Sequence, residues 1–247
     1  MSHGSSDDLK TGDSALVEQR TGLGSGDGER PPRRLRAANG QSFSYDGLPR
    51  LTKVTDSTTP GNTATYGYDV ADNPITLGAT AQAFNAANEL CWTAPTAAAG
   101  TNRACGTPAA GAKTYTYSPT GNRTAVTPAS GPATSFGYDA ADRLTSITGA
   151  VSATYSYDGD GLRTSKTTGG VSSSFGWNDE SGIPLLLRDR NDYYVYGPDG
   201  VPLERLGSSP TLYLHTDQQD SIRLVTDTAG NAACTASYTP WGAVTWT

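Results

Sequence analysis

The chain has 247 residues, a formal charge of −6, 17% charged side chains and 35% hydrophobic ones, which suits one large domain or two small ones around a lean core. Its acidic pI near 4.8 excludes a phosphate-neutralising stripe, and the one basic cluster, Arg30 to Arg36, sits in a Gly/Pro-rich tail, so nucleic-acid binding is set aside. No run approaches the roughly 20 apolar residues of a membrane span, and the opening MSHGSSDDLKTGDSA has no apolar stretch of the kind a signal peptide carries.

Leu, Ile, Val and Phe supply only about 15% of the chain. The modest charge and the 13 Tyr and 4 Trp nevertheless argue for a sheet-rich protein with a thin aromatic core rather than a disordered one. Without an export signal, the chain is cytoplasmic, exported without a cleavable leader, or one piece of a longer gene product.

Residues 1–40 read as a disordered leader or linker, rich in Gly, Ser, Asp and Arg and without a period. Its glycines, in TGLGSGDGERPPRRLR, follow no strand and lack the Gly-Lys-Ser/Thr of a phosphate loop.

Residues 41–180 repeat. The units are FSYDGLPRLTKVT from Phe43, YGYDVADNPITL from Tyr66, YTYSPTGNRTAV from Tyr115, FGYDAADRLTSIT from Phe136 and YSYDGDGLRTSKT from Tyr155, with weaker copies from Phe84 and Phe175. In the five full units the two aromatic residues are two apart, so on a strand both rings share one face. The aspartate that follows Tyr45, Tyr68, Tyr138 or Tyr157 (Asp46, Asp69, Asp139, Asp158) is suited to accept backbone N–H groups in an Asx-turn, and Gly161 to take the positive φ of a tight hairpin. Tyr117 and Gly121 hold the same places in a copy with Ser118 for Asp. Leu162, Thr164 and Lys166 begin an alternating return strand, as does Leu144 to Thr148. One repeat is therefore one hairpin of about twenty residues, and hairpins too weak to stand alone pair edge to edge into a long sheet.

Between the Phe84 and Tyr115 copies lies an inserted small-residue loop, WTAPTAAAGTNRA, bracketed by Cys91 and Cys105. A disulfide closing this loop and a pair of free thiols stand as equal readings. Cys234 alternates with polar neighbours and reads as an inert strand thiol. The cysteine spacing fits neither a zinc site nor a thioredoxin-type pair.

Aromatic-x-Tyr-Asp followed by a Gly-Arg-Leu or Asn-Arg turn resembles the YD repeats of bacterial Rhs proteins and the teneurins. Residues 181–247 carry a more specific motif: YVYGPDGVPLERL from Tyr194, then LYLHTDQQDSIRLVTDTAGNAACTASYTPWG from Leu212. This resembles the start of the Rhs repeat-associated core, with Tyr213, His215, Asp217, Ser221, Arg223, Asp227, Gly230, Tyr238, Pro240, Trp241 and Gly242 in the motif positions. One departure is Asp220, where the family usually has Gly. The resemblance implies an all-β fold of stacked antiparallel hairpins, forming part of a spiral shell. In bacterial members such a shell encloses a C-terminal toxin, and in teneurins it serves adhesion. The family's next stretch, with an Arg-Ala-Arg-Tyr-Tyr-Asp-Pro element and the aspartates of self-cleavage, would follow Thr247, so the expectation is a C-terminally truncated member from which no catalytic residue is carried over.

His215, Asp217 and Ser221 invite a triad reading, but Ser221 lies beyond a turn with no nucleophile elbow, and the hairpin motif explains all three. Asp158 and Asp160 offer two carboxylates without the distal Glu of a calcium loop, so turn formation is the stronger reading. Tyr193, Tyr194 and Tyr196 are candidates for stacking sugars, against the plainer role of cross-strand contacts. The expected role is thus structural and non-enzymatic, with no cofactor or metal. Expected partners are a toxin domain or the remainder of a shell, with a secretion apparatus or surface glycans as further possibilities, and the full-length parent is expected to be secreted or at the cell surface. The alternatives are a surface adhesion or carbohydrate-binding module and the remnant of a self-cleaving core protease. Open strand edges predict association of the isolated chain.

Overall fold

A computed structural model describes residues 37–38, 40–56, 63–180, 182–198, 200–207, 210–217 and 219–247. Most of the expected leader, and Gln218 of the C-terminal turn, lie outside them. The described chain is almost wholly antiparallel β and forms two compact units that divide between Thr116 and Tyr117, with Pro128–Ser130 going with the first.

Up to that division run β1 (Ala37–Ala38), β2 (Gln41–Tyr45), β3 (Leu51–Asp56), β4 (Thr63–Tyr68), β5 (Pro74–Leu77), β6 (Thr80–Phe84), β7 (Leu90–Pro95), the single-turn helix α1 (Thr96–Ala99) and β8 (Lys113–Tyr117). After it come β9 (Arg123–Thr127), β10 (Thr134–Tyr138), β11 (Leu144–Thr148), β12 (Ala153–Tyr157), β13 (Arg163–Thr168), β14 (Val171–Asn178) and β15 (Leu185–Asp189). The unit ends with β16 (Asp192–Tyr196), β17 (Pro202–Leu206), β18 (Leu212–Thr216), β19 (Ile222–Thr226), β20 (Ala232–Tyr238) and β21 (Val244–Trp246). From β1 to β8, and again from β9 to β21, each strand pairs antiparallel with the next in sequence. The meander follows from the spacing: five- to seven-residue β-formers separated by tight turns reach only the neighbouring strand.

The register slips at each Tyr-Asp step. Tyr157 faces Arg163 while Ser156 faces Ser165, and Tyr45 faces Leu51 while Ser44 faces Lys53. The extra residue on the return strand is a β-bulge, which bends the hairpin and raises its twist. Two readings shift in consequence. The return strand of the Tyr155 repeat begins at Arg163, because Leu162 closes the turn, and every residue of β13 is half-buried instead of alternating.

Side chains sort by face as the period of two requires. Tyr155 and Tyr157 are half-buried, whereas Thr154 and Ser156 are exposed. Across the face opposite the rings, pairing sets Ser146 beside Thr154, Thr154 beside Thr167, and Thr167 beside Ser172, a ladder of hydroxyls. In β16 to β18 the same face becomes apolar and open: Tyr193 faces Leu206, and both are exposed, as are Val195 and Tyr213.

The expected thin aromatic core needs correction, because the one closed cluster among the described residues is built from alanine and a single indole. Ala81 and Ala83 of β6 with Trp92 and Ala94 of β7 are buried, and Trp92 has no exposed surface. The inserted segment folds over them with Ala99, while Cys91, Cys105, Ala109 and Ala112 pack at the margin. Its first residues are not loop: Trp92 to Pro95 complete β7, and Thr96–Ala99 turn as α1. Cys91 and Cys105 are joined by a disulfide, their Cα atoms 5.4 Å apart, and Cys234 is a half-buried free thiol.

Candidate functional site

The functional element is a repeated turn together with the contacts that tie one turn to the next. Each turn starts where the tyrosine strand ends. Asp46, Asp69, Asp139, Asp158, Asp217 and Asp227 each donate their N–H to the carbonyl four residues on, at 3.0 Å. Each also accepts, on one carboxylate oxygen, the N–H groups two and four residues on. For Asp69 these are Ala71 at 2.9 Å and Asn73 at 2.8 Å, and for Asp158 they are Asp160 at 3.1 Å and Leu162 at 2.8 Å. A carboxylate suits this place because it accepts several donors at once. Asn85 repeats the pattern with its amide oxygen, Ser118 and Thr239 keep one bond through their hydroxyls, and at Gly197 the turn closes through backbone bonds, Gly197 N–H to Val201 O and Gly200 N–H to Gly197 O.

In five of these turns the second carboxylate oxygen takes a side-chain partner. Arg50 Nε donates to Asp46 at 2.7 Å, Arg143 Nε to Asp139 at 2.8 Å and Arg223 Nε to Asp217 at 2.6 Å. Asn73 and Asn231 do the same for Asp69 and Asp227 through their amides. These donors hold the carboxyls below their ordinary range. The backbone N–H of Arg50 leads at Asp46 and that of Arg143 at Asp139. The side chains of Asn73, Arg223 and Asn231 lead at Asp69, Asp217 and Asp227.

The third residue after the turn's first must adopt a left-handed conformation. Gly161 does so with φ 86°, and Gly121 and Gly230 with φ 83°. Asp72, Asn88 and Asp142 fill the same place at φ 65°, 60° and 58°, and Asp220 at φ 57°. Short Asp and Asn side chains tolerate this region best after glycine, so the Asp220 departure leaves the turn closed, with the Asp220 N–H donating to Asp217 O at 3.1 Å.

The tyrosine that precedes the turn reaches back to the previous hairpin. Tyr68 donates its hydroxyl proton to Leu51 O, Tyr138 to Arg123 O, Tyr157 to Leu144 O, Tyr196 to Leu186 O and Tyr238 to Ile222 O, all at 2.8 to 2.9 Å. Trp177, in the weaker copy from Phe175, substitutes its indole N–H, donating to Arg163 O at 2.8 Å. In four of these ties the acceptor is the residue paired with the preceding hairpin's own Tyr or Trp: Leu51 faces Tyr45, Leu144 faces Tyr138, Arg163 faces Tyr157 and Leu186 faces Trp177, whereas Ile222 faces Thr216. Tyr138, Tyr157, Trp177 and Tyr196 thus form a continuous relay along the second unit.

Arginine adds a second tie. The guanidinium of Arg50 lies 4.7 Å from the Tyr68 ring centre, that of Arg143 5.1 Å from Tyr157 and that of Arg223 4.8 Å from Tyr238. Arg163 lies between Tyr155 and Phe175 at 5.6 and 4.6 Å, and Arg123 lies 5.9 Å from Tyr117. At the tips, Arg50 pairs with Asp72, Asn73 bonds Asn88 at 2.9 Å, Asn122 bonds Asp142, and Arg143 donates to Asp158 O at 3.0 Å. One arginine therefore holds its own turn's aspartate while lying over the next repeat's ring, a role the sequence signals only as an Arg at or just past the turn's end.

The remaining motif residues take separate places. His215 is exposed, and its Nε2 lies 2.9 Å from Thr226 Oγ1, while the Asp217 carboxylate is occupied by Gln219, Ser221 and Arg223. The structure does not bring His215, Asp217 and Ser221 into a relay. Tyr45 is half-buried. Tyr213 and Trp241 are exposed, and Gly242 turns at φ 79° two residues after Pro240. Tyr194 and Tyr196 are half-buried, with burial raising both hydroxyl pKa values, so of that trio Tyr193 alone presents an open ring. Among the described residues, no group of three or more His, Cys, Asp or Glu is arranged to hold a metal. None of their helices is long and apolar enough to cross a membrane.

The RHS Repeat family profile matches residues 117–152 and 138–171, the stretch where the Tyr138 and Tyr157 ties are consecutive. No curated protein sequence matches the chain. Among solved structures, the crystal structure of TcdB2-TccC3-TEV is similar at 14% identity over 81% of this chain and 13% of that one, with a TM-score of 0.49. The Photorhabdus luminescens Tc holotoxin pore with a variant TccC3 is similar at 12% identity over 83% and 17%, with a TM-score of 0.41. TcdB2-TccC3 without its hypervariable C-terminal region gives the same four figures. The chain spans 13 to 17% of the length of these structures.

Proposed function

We propose that this Rhs/YD-repeat chain is a section of shell wall that encloses or presents a C-terminal toxin for delivery. The observation that carries the reading is the tie between hairpins: a Tyr hydroxyl or Trp N–H on the preceding hairpin's carbonyl, repeated from Tyr138 through Tyr157 and Trp177 to Tyr196. Such ties stiffen a sheet that lengthens one hairpin at a time, and they let it stand with little closed core. The role asks for no catalytic residue or cofactor. In this reading residues 41–180 and the start of the repeat-associated core at 181–247 are one wall. Its partners are the toxin domain or the remainder of the shell, with a secretion apparatus during export.

The test is protease protection in the full-length parent. The polypeptide downstream of Thr247 should resist digestion while the repeats are intact and become sensitive when Tyr157→Ala and Tyr196→Ala break the ties. Equal sensitivity of the downstream segment in both proteins would overturn the reading. A glycan-binding module is the second reading, favoured by the open rings of Tyr193, 51% exposed, and Tyr213, 39% exposed. Retention of the chain on a polysaccharide column, lost in Tyr193→Ala, would support it instead.

A further inference from the structure

The inserted segment stands apart from the repeats. Beyond the end of β7 at Pro95 its only regular structure is the single-turn α1, which has no side-chain cap and no acidic residue in its first turn. A helix this short does not hold itself together in water. Thr96 fixes the near end of the segment, donating its N–H to Ala79 O at 2.8 Å and its hydroxyl to Gly78 O at 3.4 Å, and the far end is tied down at three consecutive residues. Arg103 donates through Nε to Ile75 O at 3.1 Å and through a terminal nitrogen to Thr76 Oγ1 at 3.2 Å. Ala104 O accepts the Trp92 indole N–H at 2.9 Å. Cys105 is covalently joined to Cys91. Beneath them lies a patch of small residues, Ala81, Ala83 and Ala94, with the fully buried Trp92.

We propose that the Cys91–Cys105 disulfide is a redox latch: oxidised, it holds the insert over Trp92, and reduced, it lets the insert lift and opens the β6–β7 face. The alanines that cover the patch bury little apolar area each, so packing alone returns little against the entropy of ordering a Gly- and Thr-rich loop. The crosslink, which spans 14 positions, takes part of that entropy from the open state and so favours the closed one. The chemistry is thiol exchange: a dithiol gives up two electrons and two protons and becomes a disulfide, and Cys91 and Cys105 each end as a thiol. The latch is therefore shut in an oxidising compartment and open in a reducing one. It does not depend on the shell reading.

The test is limited trypsin digestion of the chain, untreated and after dithiothreitol, with thiols counted in parallel. Untreated protein should show Cys234 as its one free thiol, rising to three with Cys91 and Cys105 released. Cleavage after Arg103 should then quicken at least about tenfold, since cleavage follows the population of the open form. Cleavage after Arg143 and Arg163, in the second unit, should stay unchanged. A Cys91→Ala/Cys105→Ala variant should show the fast Arg103 cleavage without reductant. Three thiols before treatment, an Arg103 rate that reduction leaves unchanged, or equal acceleration at Arg143 and Arg163 would each overturn the latch.

Discussion

Removing one hydroxyl should measure the tie between hairpins. Tyr157→Phe keeps the ring that sits 5.1 Å from Arg143 but deletes the donor to Leu144 O at 2.8 Å. A hydrogen bond of this kind contributes about 0.5–1.5 kcal/mol net, so the variant should lose about 1 kcal/mol, a fall in Tm of roughly 2–4 °C for a chain of this size. Arg143→Ala removes the cation above the ring, a contact worth about 0.5–1 kcal/mol at a part-exposed site. A cycle of Arg143→Ala, Tyr157→Leu and the double variant should give a coupling of that size. Tyr157→Phe and Tyr238→Phe act on ties in different hairpins, Leu144 O and Ile222 O, and should add to within about 0.5 kcal/mol. Urea denaturation followed by far-UV circular dichroism supplies all the values. A Tyr157→Phe variant as stable as the parent, with no coupling to Arg143, would refute the idea that these contacts hold the hairpins together.

Other consequences follow from the turns. Asp139→Asn keeps an oxygen for the Ala141 and Arg143 N–H groups, as Asn85 does in its own turn, so it should lower Tm less than Asp139→Ala, and thermal melts of the two variants rank them. The carboxyls of Asp46, Asp69, Asp139, Asp217 and Asp227 are held below their ordinary value of 3.8. Groups depressed on folding contribute stability above the unfolded value and lose it as pH falls through the folded one. Tm should therefore be insensitive to these groups between pH 5 and 7 and fall below about pH 4, a trend that a pH series of melts would show. Asp220→Gly relieves the left-handed φ of 57° and should raise stability by about 0.5 kcal/mol in urea denaturation.

The hairpins were legible because their information is local. A Tyr, an Asp and a residue suited to positive φ stand within a few positions of one another, and period-two alternation fixes which face the rings take. Gly161 and Asp158 could be read directly. Asp72, Asn88 and Asp142 are not marked in the same way, because Asp and Asn serve equally at the start of a turn and at its left-handed position. The ties between hairpins were not legible. Whether Tyr157 meets Leu144 O depends on the bulge at Ser156 and Tyr157 and on the stagger of neighbouring strands, which no single repeat encodes. The same stagger decides that Arg143 serves both Asp139 and the Tyr157 ring. Alanine is too weakly hydrophobic to announce burial, so in sequence the insert has the look of a loop. Only the Ala81-x-Ala83 alternation opposite Trp92 hinted that a covering layer was needed.

The most direct test of the structural role is a cryo-electron-microscopy map of the full-length parent protein. The hairpins of residues 41–247 should appear as wall, their Tyr138, Tyr157, Trp177 and Tyr196 ties intact, around a space holding the downstream polypeptide. A map in which these residues form a detached surface module, with the downstream polypeptide folded elsewhere, would contradict it.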